Sequence, residues 1–136
     1  MKLETLAVFV AALLLGSIGI VMINAPAKSG QSAIYQNPKE PKMTQRLNLG
    51  KLNYDTYCAS CHGETGGGSE KGPTFISRIY HPSHHGDKAF YIAAKRGVRA
   101  HHWPFGDMKP VKGISDDQIT SIVKYVRAIQ QVNGLF

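Results

Sequence analysis

The sequence predicts an all-α protein, and three observations carry that expectation. Apolar residues recur at helical spacing in two stretches, Leu47, Tyr54 and Cys58 near the middle and Ile119, Ile122, Val123, Val126 and Ile129 near the end. Ser115-Asp116-Asp117-Gln118 opens the second stretch with the pattern of a capping box. The first stretch runs into Cys58-Ala59-Ser60-Cys61-His62, and C-x-x-C-H is the attachment site of a c-type haem. A covalently held haem supplies apolar interior to a domain too short to build a large core by itself. The expected fold is a small set of roughly 3–5 helices around one covalent haem, preceded by an apolar N-terminal helix.

The motif assigns tasks to its members. Two cysteines one helical turn apart can each add across a haem vinyl group, giving two thioether bonds. His62, directly after Cys61, lies where its imidazole can bind the iron from below the ring. The chain has two cysteines and the motif uses both, so no thiol remains for a disulfide. A thioredoxin-like dithiol would need a βαβ setting, and no parallel-strand pattern lies nearby. A zinc site would need about four ligands, so histidines would have to complete the single cysteine pair.

In chain order, residues 1–24 form a candidate membrane anchor. Thr5 to Ile23 carries no charge and is almost wholly apolar. As a helix it spans roughly 27 Å, close to the hydrocarbon thickness of a bilayer. The run is longer than the roughly 7–15 apolar residues of a signal peptide, yet Ala25-Pro26-Ala27 resembles a cleavage site, so anchor and cleaved signal both stand. Haem attachment occurs outside the bacterial cytoplasmic membrane, which places the N-terminus inside and the haem domain on the periplasmic side. Lys2 gives a weak positive-inside signal in the same direction. Residues 25–43, with Pro26, Pro38 and Pro41, read as a semi-extended linker, or as an ordered arm packed on the domain or on a partner subunit.

Residues 44–136 hold the haem domain. A helix is expected from Thr44 to about Ser60, and Gly63 ends the helical run at the motif. Glu64 to Gly72 is loop, its Gly66-Gly67-Gly68 read as slack, because the lysine and serine of a phosphate cradle are missing. The Pro73 carbonyl is placed to accept from the second nitrogen of His62, a bond that orients an iron ligand. Asp87 to Ala94 reads as a helix with Asp87 as N-cap and Gly97 just beyond it, turning Phe90, Tyr91 and Ala94 inward. Val98 to Gly113 is an irregular loop carrying Trp103 and Met108. The capping box then starts the last helix, and Gly134 lies past its end.

For the other face of the iron, Met108 stands out as a methionine in a polar loop, off any helical stripe. His101 or His102 is the alternative. His81, His84 and His85 join His101 and His102 in a histidine-rich group, read either as loop histidines or as a copper or zinc site near the haem. A thioether opposite His62 closes both axial positions, leaves none for a substrate, and favours the ferrous state.

The formal net charge of +7 favours acidic partners. Basic and aromatic residues do not interleave and no nucleic-acid motif occurs, so nucleic acid is not an expected partner. Lys88, Lys95, Arg96, Arg99, Lys109 and Lys112 cluster in the distal half, either as a ring around the haem edge that steers an acidic redox protein or membrane complex, or as a solvated surface.

From Leu47 to Gln130 the pattern resembles class I mono-haem cytochrome c. Gly50-Lys51-Leu52-Asn53-Tyr54 and Cys58 to Gly63 look like that family's first helix and haem site. Gly72-Pro73 looks like its proline turn, Ile92, Gly97 and Met108 are similar to its distal half, and Ser115 to Gln118 with Tyr125-Val126-Arg127 look like its last helix. One departure is Lys109, which stands between Met108 and Pro110. The resemblance implies a first and a last helix crossing at Gly50 and Tyr125. It implies haem binding through Cys58, Cys61, Pro73 and Trp103, the indole reaching a propionate, with His62 and Met108 as iron ligands. It further implies electron transfer between respiratory or photosynthetic complexes, without catalytic residues or a small-molecule substrate. A fixed haem subunit of a membrane oxidase or dehydrogenase is the alternative, and a haem enzyme or gas sensor with a displaceable Met108 is a third reading.

Overall fold

The computed structural model of the chain describes residues 36–136. The expected membrane anchor and residues 25–35 of the expected linker lie outside the described residues. Among the described residues, no helix is long and apolar enough to cross a membrane.

The regular elements among the described residues are helical. Helix α1 spans Gln45–Tyr57, α2 Ala59–His62, α3 Asp87–Arg96 and α4 Asp116–Val132, with a short 3-10 turn at Arg78–Tyr80. Helix α4 has the strongest local reasons to form. The Ser115 hydroxyl accepts from the Gln118 N–H while the Gln118 side chain accepts from the Ser115 N–H, and Asp116 and Asp117 sit in the first turn. Its inner face buries Ile119, Ile122, Val123, Val126 and Ile129. Each such side chain stabilises the fold by about 1.5–3 kcal/mol relative to exposure.

Helix α1 is different, because much of its apolar surface faces water: Leu49 is 55% exposed and Leu52 63%. What it buries is Gly50 and Tyr54, and these decide how it meets α4. A Cβ at Gly50 would lie 2.4 Å from the Ser121 carbonyl oxygen and 2.9 Å from Tyr125 Cβ. The bare glycine lets the backbones touch, and Tyr54 and Tyr125 fill the space beside the contact, ring centroids 5.4 Å apart. Asn53 Nδ2 donates to Ser121 Oγ at 2.8 Å across the same crossing.

Three sequence expectations are corrected. The first helix does not run unbroken to Ser60: Cys58, at φ −123°, interrupts it, and the single turn α2 carries the rest of the motif. Asp87 is not the N-cap of α3. Gly86 takes that position, and the Asp87 carboxylate instead accepts from Arg127 Nε at 2.8 Å. The triple glycine is not slack, since a Cβ on Gly67 would fall 1.8 Å from the Gln36 carbonyl oxygen. That approach lets Gln36 N–H donate to the Gly67 carbonyl at 2.7 Å. From Gln36 the chain before α1 lies along the domain. Pro38 and Pro41 are buried, and Lys39 N–H donates to Asn133 Oδ1 at 2.9 Å. Residues 36–43 thus follow the packed-arm reading of this stretch.

Candidate functional site

The short helix α2 fixes the geometry of the motif. The His62 N–H donates to the Cys58 carbonyl at 2.9 Å, closing a single turn, which brings the two cysteines to one side. Cys58 is half-buried, Cys61 is exposed, and they form no disulfide. Burial first, and Cys61 second, push the Cys58 thiol up to about 12. Redox dithiols need a lowered pKa, so a thioredoxin-like role finds no support. The ends of the turn are tied down: Ser69 Oγ donates to the Cys61 carbonyl at 2.5 Å and Tyr54 Oη to the Gly63 carbonyl at 2.6 Å.

His62 is buried, and its Nδ1 lies 2.9 Å from the Pro73 carbonyl oxygen. A carbonyl only accepts, so Nδ1 carries the proton and the Nε2 lone pair is left for a metal. Burial lowers the pKa of His62, against a smaller raising contribution from the Pro73 bond, and so favours the neutral, ligating form. Phe75 stacks on the ring at 4.3 Å between centroids and 24° between planes, holding its orientation.

The loop after α3 is less irregular than its composition suggests. Val98 and Met108 exchange both backbone hydrogen bonds at 2.9 Å, and Val111 N–H donates to the Ala94 carbonyl at 2.8 Å. This bridge folds the loop back on itself and brings Met108 to the cleft that His62 lines. Cys58, Pro73 and Trp103 line the same cleft, and Cys61 lines an adjoining hollow that also holds Cys58, His62 and Met108. All six sequence-nominated residues therefore meet in one region.

The cleft has largely apolar walls and about 1060 Å³ of empty space, part of it open to solvent. Trp103 Nε1 is buried without a hydrogen-bond partner. The indole faces the Tyr80 phenol, which burial pushes up to about 12, but the contact falls short of hydrogen-bond geometry. A buried donor left unpaired costs about 1–3 kcal/mol, so this position calls for an acceptor from a bound group. Apolar walls, paired cysteines, a free imidazole nitrogen, a thioether and an orphaned donor suit a large planar apolar group with polar substituents, which is the chemistry of haem.

Sequence reasoning passed over the residues that hold this region to α4. Arg127 Nη1 donates to the Tyr80 carbonyl at 2.7 Å and Nη2 to the His85 carbonyl at 2.6 Å. Gln130, fully buried, donates to the Phe75 carbonyl at 2.9 Å and accepts from Arg127 at 2.7 Å. Gln130 sits one turn beyond Val126 on the apolar stripe, and a polar residue at a stripe position was the available signal.

Of the five grouped histidines, His84, His85 and His102 gather, each offering a ring nitrogen within 4.8 Å of the others. His81 pairs with Ser83 and His101 with the Arg99 carbonyl. Of the six distal cations, Lys95 is held by Asp116 at 2.7 Å and the Ile114 carbonyl at 2.9 Å. Lys88, Arg96, Arg99, Lys109 and Lys112 are exposed.

A family model described as Cytochrome c matches residues 47–130. No curated protein and no solved structure matches the chain.

Proposed function

The chain belongs to the cytochrome c family, and from that premise we propose a one-electron carrier with its iron between His62 and Met108, tethered by its N-terminal segment to the outer face of the cytoplasmic membrane. Membership brings a covalent haem c, and Cys58 and Cys61 fit its attachment motif. Its role is haem-based electron transfer. The haem, when bound, supplies one iron that accepts and releases a single electron.

The observation that carries the ligand assignment is that His62 and Met108 line one apolar cleft. Each residue around it has a separate task in this reading. Pro73 holds the proton on Nδ1 of His62 and so presents Nε2. Met108 offers a soft sulfur that favours the reduced state. Cys58 and Cys61 anchor the group covalently, and Trp103 Nε1 donates to a propionate. Phe75, Phe90 and the aliphatic walls exclude water. With His62 and Met108 both holding the iron, a bound haem would keep no open position for a substrate.

The membrane tether rests on the uncharged run from Thr5 to Ile23, and such a carrier would link respiratory or photosynthetic complexes. Its partner is an acidic redox protein or membrane complex, met through Lys88, Arg96, Arg99, Lys109 and Lys112. Stopped-flow electron exchange with an acidic partner tests this reading. Between low and physiological salt the Debye length falls from about 30 Å to about 8 Å, and the association rate should drop on the order of tenfold. A rate independent of ionic strength contradicts docking through these cations. Turnover of oxygen or peroxide by the purified chain contradicts the carrier.

A further inference from the structure

We propose that His84, His85 and His102 form a second metal site, for an imidazole-preferring divalent cation such as Zn²⁺ or Cu²⁺. It needs neither Met108 nor the membrane tether, so it stands apart from the function proposed above. Their ring nitrogens all fall within 4.8 Å of one another. With metal–nitrogen bonds of about 2.0–2.1 Å, small side-chain rotations bring three such atoms onto one ion.

The site is partly built. His85 Nδ1 lies 2.6 Å from the Ile79 carbonyl oxygen; the carbonyl only accepts, so Nδ1 holds the proton and Nε2 is free. A backbone carbonyl fixing the tautomer is the usual outer support of a metal-bound histidine. The backbone that carries His84 and His85 is fixed as well. Both their N–H groups donate to the His81 carbonyl at 2.9 Å, and Arg127 clamps the His85 carbonyl from α4 at 2.6 Å. His102 arrives from the other side, on the loop closed by the Val98–Met108 bridge and by Ala100 N–H donating to Asp107 Oδ1 at 2.8 Å. The three rings meet without parallel stacking, His84–His85 at 4.6 Å and 78°, His85–His102 at 5.5 Å and 76°, His84–His102 at 5.6 Å and 60°.

The donor set selects the ion. Three neutral imidazoles without a carboxylate suit Zn²⁺ or Cu²⁺ and not Mg²⁺ or Ca²⁺. His84 and His102 are exposed, so water can take a fourth position, and Cu²⁺ should bind more tightly than Zn²⁺. His85 and His102 also line the haem cleft, which puts the second metal beside the haem.

The test uses the purified haem-loaded chain, stripped with a chelator and dialysed against Zn²⁺ alone, with iron and zinc counted per chain. One zinc beyond the one iron is expected. His84→Ala and His102→Ala should each weaken zinc binding about tenfold or more, while His81→Ala should not. Both substituted side chains are exposed, so folding should survive, and the haem spectrum should be the same in the His84→Ala and His81→Ala variants, whose side chains lie outside the cleft lining. No zinc above background, or uptake indifferent to both substitutions, overturns the site. A haem that turns from low-spin to high-spin in His102→Ala also overturns it, by making His102 an iron ligand.

Discussion

Trp103 Nε1 is a buried donor without a hydrogen-bond partner, while the other buried side-chain polar atoms among the described residues are paired. Gln130 and Thr74, both fully buried, are satisfied, Thr74 by backbone partners and Gln130 by the Phe75 carbonyl and the Arg127 side chain. With a haem propionate as acceptor, the indole gains a hydrogen bond to a charged group, about 1.5–3 kcal/mol. Trp103→Phe should therefore keep the haem attached and lower the stability of the haem-loaded chain by about that amount, as read by guanidinium denaturation. Stability unchanged or raised would show that the donor stays unpaired with haem in place. At this scale C-x-x-C-H and the bond from His62 to the Pro73 carbonyl were legible because their chemistry is local, and Met108 stands out in the sequence as unusual for its setting, before the structure places it in the cleft. Arg127 and Gln130 were not, because what they do depends on Tyr80, His85 and Phe75, which only folding brings near them.

Among the elements, the crossing of α1 and α4 depends most on one atom that is missing. Alanine is ordinarily worth about 0.8–1.0 kcal/mol over glycine inside a helix. At Gly50 the added methyl would meet the Ser121 carbonyl oxygen at 2.4 Å, and overpacking a tight contact costs about 1–3 kcal/mol. The clash should win, so Gly50→Ala is expected to lower the melting temperature despite its better helix propensity. A higher melting temperature would mean that the helices part without cost. Helix α4 was readable in full from its capping box and stripe, since both are written in neighbouring residues. The break at Cys58 was not, because the apolar spacing of α1 runs through it unchanged. The tight packing of Gly67 was hidden for another reason: its neighbour Gln36 lies far back in the sequence.

For the molecule as a whole, a short chain with a modest core organises itself around a cleft. One wall comes from the C-x-x-C-H turn and Pro73, the other from the loop that the Val98–Met108 bridge folds back. Helix α4 underlies both through Ile119, Ile122 and Val123 and ties down the 78–87 region through Arg127. The proposed docking on an acidic partner would draw on the net charge of +7 at long range, independent of which residues line the cleft. The most direct test of the central claim is an optical spectrum of the purified protein, ferric and ferrous, with carbon monoxide added to the ferrous form. Ligation by His62 and Met108 predicts a low-spin haem with the weak methionine-to-ferric charge-transfer band and no change on adding the gas. A low-spin haem lacking that band would put a histidine such as His101 or His102 in place of Met108. A high-spin or gas-reactive haem would contradict the closed site and point to an enzyme or sensor.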